Sequence, residues 1–137
     1  MKAKILCIED NAANLYLVTF LLESKGYDVL QARDAQQGID TAIRDKPDLI
    51  LLDIQLPSMD GYAVARALRT NPDLLMVPIV AVTSYAMVGD REKALSSGCS
   101  DFIEKPINPD TFLGQVEEHL LGNAVCGVTD GAGPYSG

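Results

Sequence analysis

The chain has 137 residues, 47% of them hydrophobic, which suits one domain with a packed core and excludes a disordered polymer. Its net charge of −8, with no run of Lys or Arg, argues against nucleic acid as a direct partner, because phosphate backbones repel such a surface. No apolar run approaches membrane-spanning length, and the N-terminal stretch Ile5-Leu6-Cys7-Ile8 is too short for a signal peptide. Cys7, Cys99 and Cys126 form neither a CxxC pair nor a metal-ligand spacing, so reduced thiols and a cytoplasmic address are expected.

In chain order, Ile5-Leu6-Cys7-Ile8 is a short continuous apolar run, the pattern of a parallel strand covered on both faces. A helix is predicted from about Ala12 to Lys25, with Leu15, Val18 and Leu22 on one face and Gly26 as its stop. A weaker strand follows near Asp28–Ala32. Ile39, Ala42 and Ile43 mark a second helix that ends by Pro47. Leu49-Ile50-Leu51-Leu52 is a second buried-strand run, and Val64, Ala67 and Leu68 mark a third helix that cannot pass Pro72. Ile79-Val80-Ala81-Val82 is the next strand.

After Gly89-Asp90 a short fourth helix is expected, with Asp90 as cap and Gly98 as stop. Its interior offers only Ala94 and Leu95 as apolar anchors, so it should be weakly held. A last strand near Asp101–Glu104 leads to a helix from Pro109 to about Leu121, with Phe112, Val116 and Leu120 on one face. Residues 1–121 then form the domain. Residues 122–137, with five glycines and no helical period, read as a flexible tail too short for an output domain.

Five βα units imply an α/β fold with a doubly wound, five-stranded parallel sheet, most naturally in the order 2-1-3-4-5. In that order a site lies beyond the carboxyl ends of the strands, where the chain reverses direction across the sheet. The residues there are Glu9-Asp10, Asp53, Thr83-Ser84 and Lys105-Pro106. Three converging carboxylates are costly without a compensating cation, and their hard oxygens suit Mg²⁺. A lysine supplies fixed positive charge for an anion, and the Thr83 hydroxyl supplies a donor. Carboxylate nucleophile, dication, ammonium and hydroxyl are the parts needed to place a phosphoryl group on Asp53.

These residues carry a resemblance. Over about residues 3–121 the chain is similar to the receiver domains of bacterial response regulators, through Glu9-Asp10, the run Asp53-Ile54-Gln55-Leu56-Pro57-Ser58-Met59-Asp60-Gly61, Thr83 and Lys105-Pro106. The spacings agree as well, 30 residues from Asp53 to Thr83 and 22 more to Lys105. Glu9-Asp10-Asn11 and Thr83-Ser84-Tyr85-Ala86-Met87 resemble the DivK-like stand-alone receivers in particular.

The resemblance implies a flavodoxin-like receiver fold and phosphorylation of Asp53 by a histidine kinase or phosphotransfer protein, as part of a two-component system or phosphorelay. It implies Mg²⁺ on Asp10, Asp53 and the carbonyl of Gln55, with Glu9 helping through water. Lys105 would hold the phosphate, its bond to Pro106 being cis and aiming the amine inward. Thr83 and Phe102 would carry the switch, while Gln55 and Tyr85 flank the phosphate and tune its lifetime. Glu9 departs from the Asp common at its position, and Phe102 from the commoner Tyr. Output would pass to a protein target through helix 4, strand 5 and helix 5.

Each residue taken singly has a plainer reading: Asp53 a turn former, Thr83 a helix cap, Lys105 a solvated lysine, Phe102 core, Tyr85 an ordinary surface aromatic. The joint pattern at four strand ends is what favours a site. His119, with no supporting carboxylate in the sequence pattern, reads as structural at a helix end. A dehalogenase-type phosphatase needs a second Asp where Gln55 stands, and a flavin site needs a phosphate-cradling loop where Glu9-Asp10 would repel phosphate. The chain is therefore expected to catalyse only its own phosphorylation and dephosphorylation and not to turn over a substrate. A receiver cut from a larger regulator, with the tail as its linker, stays open beside the stand-alone reading.

Overall fold

In a computed structural model of the chain, residues 3–57, 59–84 and 90–125 are described, without the side chains of residues 90, 91 and 122–125. Strands β1 (Lys4–Ile8), β2 (Asp28–Ala32), β3 (Leu49–Asp53), β4 (Ile79–Thr83) and β5 (Asp101–Glu104) alternate with helices α1 (Ala12–Ser24), α2 (Ala35–Asp45), α3 (Gly61–Arg69), α4 (Asp90–Ser96) and α5 (Pro109–Val125). All pairings are parallel and the order is β2-β1-β3-β4-β5, as the alternating periodicity predicts.

The apolar runs explain which strands lie in the middle. Every residue of β3 and β4 is buried, and so is β1 beyond Lys4, whereas the edge strands β2 and β5 are mixed. Successive side chains leave a strand on opposite faces, so each run feeds two cores. Leu6, Ile8, Ile50, Leu52, Ile79 and Ala81 pack with Ala42 of α2, Val64 and Leu68 of α3 and Ala94 of α4. Ile5, Cys7, Leu49, Leu51, Val80 and Val82 pack with Leu15, Val18 and Leu22 of α1 and Phe112 and Val116 of α5.

Local signals set most helix ends. The side chains of Asn11, Asp34 and Asp60 cap α1, α2 and α3 by accepting from the N–H groups of Asn14, Gln37 and Tyr62. Gly26, expected as the α1 stop, has φ +87. Three expectations shift. Ile43 is 44% exposed, because α2 faces the sheet through Ala35, Gly38, Thr41 and Ala42. Gly38 lies so near Ile8 that a Cβ there would meet its Cδ1 at 2.6 Å. Leu95 is also exposed, which leaves Ala94 to anchor α4 in the core. Helix α5 runs to Val125, past the expected end at Leu121, so Gly122 and Asn123 do not stop it. The rest of the expected tail, Cys126 included, and Tyr85 lie outside the described residues. Among the described residues no helix is long and apolar enough to cross a membrane.

Candidate functional site

The strand register brings the singled-out residues to one edge of the sheet. Ile8 pairs with Leu52, Asp53 with Val82 and Thr83 with Glu104, so the chain segments leaving β1, β3, β4 and β5 emerge side by side. Glu9, Asp10 and Asp53 each present a carboxylate oxygen, and these oxygens lie within 4.8 Å of one another. The Lys105 Nζ is 2.9 Å from Glu9 Oε1 and 3.6 Å from Asp53 Oδ2. The backbone N–H of Lys105 donates to the Thr83 carbonyl at 2.7 Å, which continues the β4–β5 pairing one step past β5. The Lys105–Pro106 bond is cis.

Burial makes the grouping electrostatically tense. Glu9 and Asp53 are each only 4% exposed, and Asp10 is half-buried. Burial pushes the Glu9 carboxyl above its ordinary value; the Lys105 hydrogen bond opposes this and the Asp53 carboxylate adds to it. The Cys7 thiol beneath the site is pushed up as well, mainly by burial and then by the charge of Glu9. The acidic oxygens nevertheless have fixed donors. The Gln55 N–H donates to Asp53 Oδ1 at 2.9 Å and the Asn11 N–H to Glu9 Oε2 at 3.2 Å.

Three carboxylates facing one ammonium leave net negative charge on hard oxygen donors, which is the chemistry a magnesium-sized dication satisfies. The Glu9 carboxylate lies in the cluster and is in contact with Lys105. Thr83 ends β4 and is 2% exposed. The Gln55 side chain is turned toward β4, its Oε1 accepting from the Ser84 N–H at 3.4 Å. Phe102 pairs in register with Ala81 and packs, half-buried, against the core cluster shared by α2, α3 and α4.

Polar contacts join α3 to α4 and to the turn that follows it. The Lys93 Nζ lies 4.9 Å from the centre of the Tyr62 ring, Arg66 donates to the Ser97 hydroxyl at 3.2 Å, and Arg69 donates to the Gly98 carbonyl at 2.8 Å.

Two contacts escape sequence reasoning. A Cβ on Gly61 would meet Ile54 Cα at 2.5 Å and the Asp53 carbonyl oxygen at 2.8 Å. Glycine therefore lets the start of α3 press on the backbone of Asp53 and Ile54. The available signal was its place directly after the cap residue Asp60. His119, read as structural, has its Nε2 2.8 Å from Asp101 Oδ2. The two residues belong to α5 and β5, and only the packing of that helix on the sheet edge joins them.

A doubly wound parallel sheet with an acidic cluster and an inward lysine at its carboxyl edge defines a receiver-type signalling domain. The chain belongs to the response regulator receiver domain family, which matches residues 5–117, and so to the phosphoacceptor proteins of two-component signalling. It is 37% identical over 120 residues to the polar-differentiation response regulator DivK of Brucella anthropi, an alignment covering 88% of this chain and 98% of the relative. Among solved structures it is similar to the receiver domain of the sensor histidine kinase PA1611 from Pseudomonas aeruginosa PAO1, with 34% identity and a TM-score of 0.81. That match covers 88% of this chain and 98% of the other, whose active-site cleft holds a coordinated magnesium ion. A CheY-like receiver from Methanospirillum hungatei JF-1 superimposes with a TM-score of 0.84 at 28% identity, covering 90% of this chain and 98% of that one.

Proposed function

We propose that Asp53 is the phosphoacceptor and that its phosphorylation, with Mg²⁺ bound, resets a protein-binding surface. The observation that carries this reading is the burial of Asp53 at the point where Glu9, Asp10 and Lys105 converge. Glu9, Asp10, Asp53 and the carbonyl of Gln55 would hold the metal, whose charge would shield the incoming phosphoryl group from the carboxylates.

The carboxylate of Asp53 attacks phosphorus, a P–O bond forms, and the P–N bond to a phosphohistidine of a kinase or phosphotransfer protein breaks. Lys105 is already beside the acceptor and pairs with the new phosphoryl oxygens. Thr83, at the end of β4, donates its hydroxyl to them. That new bond favours one position of Thr83 by as much as it differs between the two states. Phe102, next along the sheet, passes the change to the face formed by α4, β5 and α5. Helix α4 suits a two-state element because Ala94 is its buried apolar anchor. Gln55 flanks the phosphate and sets its lifetime.

The domain does not turn over an external substrate; it catalyses only its own phosphorylation and dephosphorylation. Its output is binding to a protein target, with neither nucleic acid nor membrane as a partner. The free, buried Cys7 and Cys99 suit a cytoplasmic, reducing setting.

Incubation with Mg²⁺ and acetyl phosphate should add the mass of one phosphoryl group and shift the amide resonances of Thr83 and Phe102. An undiminished mass gain in Asp53→Asn, or no response in the wild type, defeats the proposal.

A further inference from the structure

The three acidic side chains are not held alike. Asp53 ends a fully buried strand and Glu9 is bound to Lys105, but Asp10 is half-buried in the turn between β1 and α1. That turn is tied down from outside by the end of β2 and the residue after it. The Glu9 N–H donates to the Ala32 carbonyl at 2.9 Å, and Arg33 Nη2 then donates to the Asp10 carbonyl at 3.0 Å. Arg33 is itself anchored. Its N–H donates to Gln37 Oε1 at 2.6 Å, and the neighbouring Asp34 caps α2 by accepting from the Gln37 N–H at 2.8 Å. A guanidinium on a fixed backbone thus reaches across the end of β1 to orient the peptide that carries Asp10.

We propose that Arg33 is a positioning residue for the metal site, holding the Asp10 turn so that its carboxylate stays within reach of those of Glu9 and Asp53. This rests on the metal reading above and adds a residue outside the acidic cluster to it. A charged donor on a carbonyl makes a stronger, more directional bond than a neutral one, and loss of such an outer partner loosens a ligand that bears the metal.

The obvious rival role for an exposed arginine beside an acidic cluster is simple charge neutralisation, and the two roles predict opposite signs. Removing a cation near a cation site tightens metal binding by Coulomb's law. Removing a positioning bond weakens it.

The experiment is Mg²⁺ titration, by calorimetry and by amide shifts, of the wild type, Arg33→Met and Arg33→Lys. Arg33→Met keeps the apolar stem and should weaken Mg²⁺ by about 10-fold, with an unchanged melting temperature in EDTA. The Mg²⁺ concentration giving half-maximal phosphorylation from acetyl phosphate should rise by the same factor. Arg33→Lys, which keeps the charge but not the planar donor, should fall between the two. Equal or tighter binding by Arg33→Met, or a wild-type affinity in Arg33→Lys, overturns the role of Arg33 and leaves the metal reading standing. Failure of the wild type to bind Mg²⁺ overturns both.

Discussion

Replacing Lys105 with methionine removes the ammonium facing Glu9 and Asp53 while keeping a side chain of similar length. The three side chains are 12%, 6% and 4% exposed, so water replaces little of what is lost. At the effective dielectric of about 20 that reproduces protein electrostatics, charges 2.9 and 3.6 Å apart each interact by about 5 kcal/mol. The protein need not bear that whole loss, because a carboxyl can take up a proton instead. From an ordinary value of 4.5, protonating Glu9 at pH 7 costs about 3.4 kcal/mol.

Burial already raises Glu9 in the wild type, so the remaining cost is smaller. Lys105→Met should therefore lower metal-free stability at pH 7 by about 2–3 kcal/mol. The sign with pH follows from the direction of the shift. A carboxyl raised in the folded state contributes stability that is fully present below the unfolded value of 4.5 and is lost as pH rises through the folded value. Losing Lys105 raises Glu9 further, so the deficit of the variant should be small near pH 4.5 and grow toward neutrality. Urea denaturation in EDTA at several pH values measures it. A deficit independent of pH, or one below about 0.5 kcal/mol at pH 7, refutes the reasoning.

Gly61→Ala forces a Cβ against backbone atoms of Ile54 and Asp53, which cannot swing aside; it should cost about 2 kcal/mol or more and slow phosphorylation. Gly114→Ala on α5, where a Cβ meets nothing within 4 Å, should stabilise by about 0.5–1 kcal/mol, and denaturation of the pair separates close approach from glycine content. The Cys99 thiol is pushed up to about 11 by burial, with the Arg69 charge opposing. It should resist iodoacetamide at pH 8 until denaturant is added, as site-resolved peptide mapping would report, and labelling at the unfolded rate would contradict its burial. Its contribution to stability is present below the ordinary thiol value and is lost as pH rises toward 11.

What the sequence by itself determined was the elements, their order in the sheet and the edge that carries the site. Runs such as Leu49–Leu52 and Ile79–Val82 announce strands buried on both faces, and Gly26 marks the end of α1. From the alternation follow the sheet order and the edge on which Glu9, Asp10, Asp53, Thr83 and Lys105 gather. Periodicity could do this because it records which side of an element meets the core, and parallel crossovers leave few orders open.

It could not give the contacts that depend on how one element is turned against another. Arg33 reaches Asp10 over 23 residues and His119 reaches Asp101 over 18. The close approach of Gly61 to Ile54, the exposure of Ile43 and Leu95, and the polar contacts of Tyr62, Arg66 and Arg69 with α4 and the turn after it are of the same kind. Such pairs leave no period in the chain. They are set by helix rotation and the final fraction of an ångström of packing, which only the assembled fold decides.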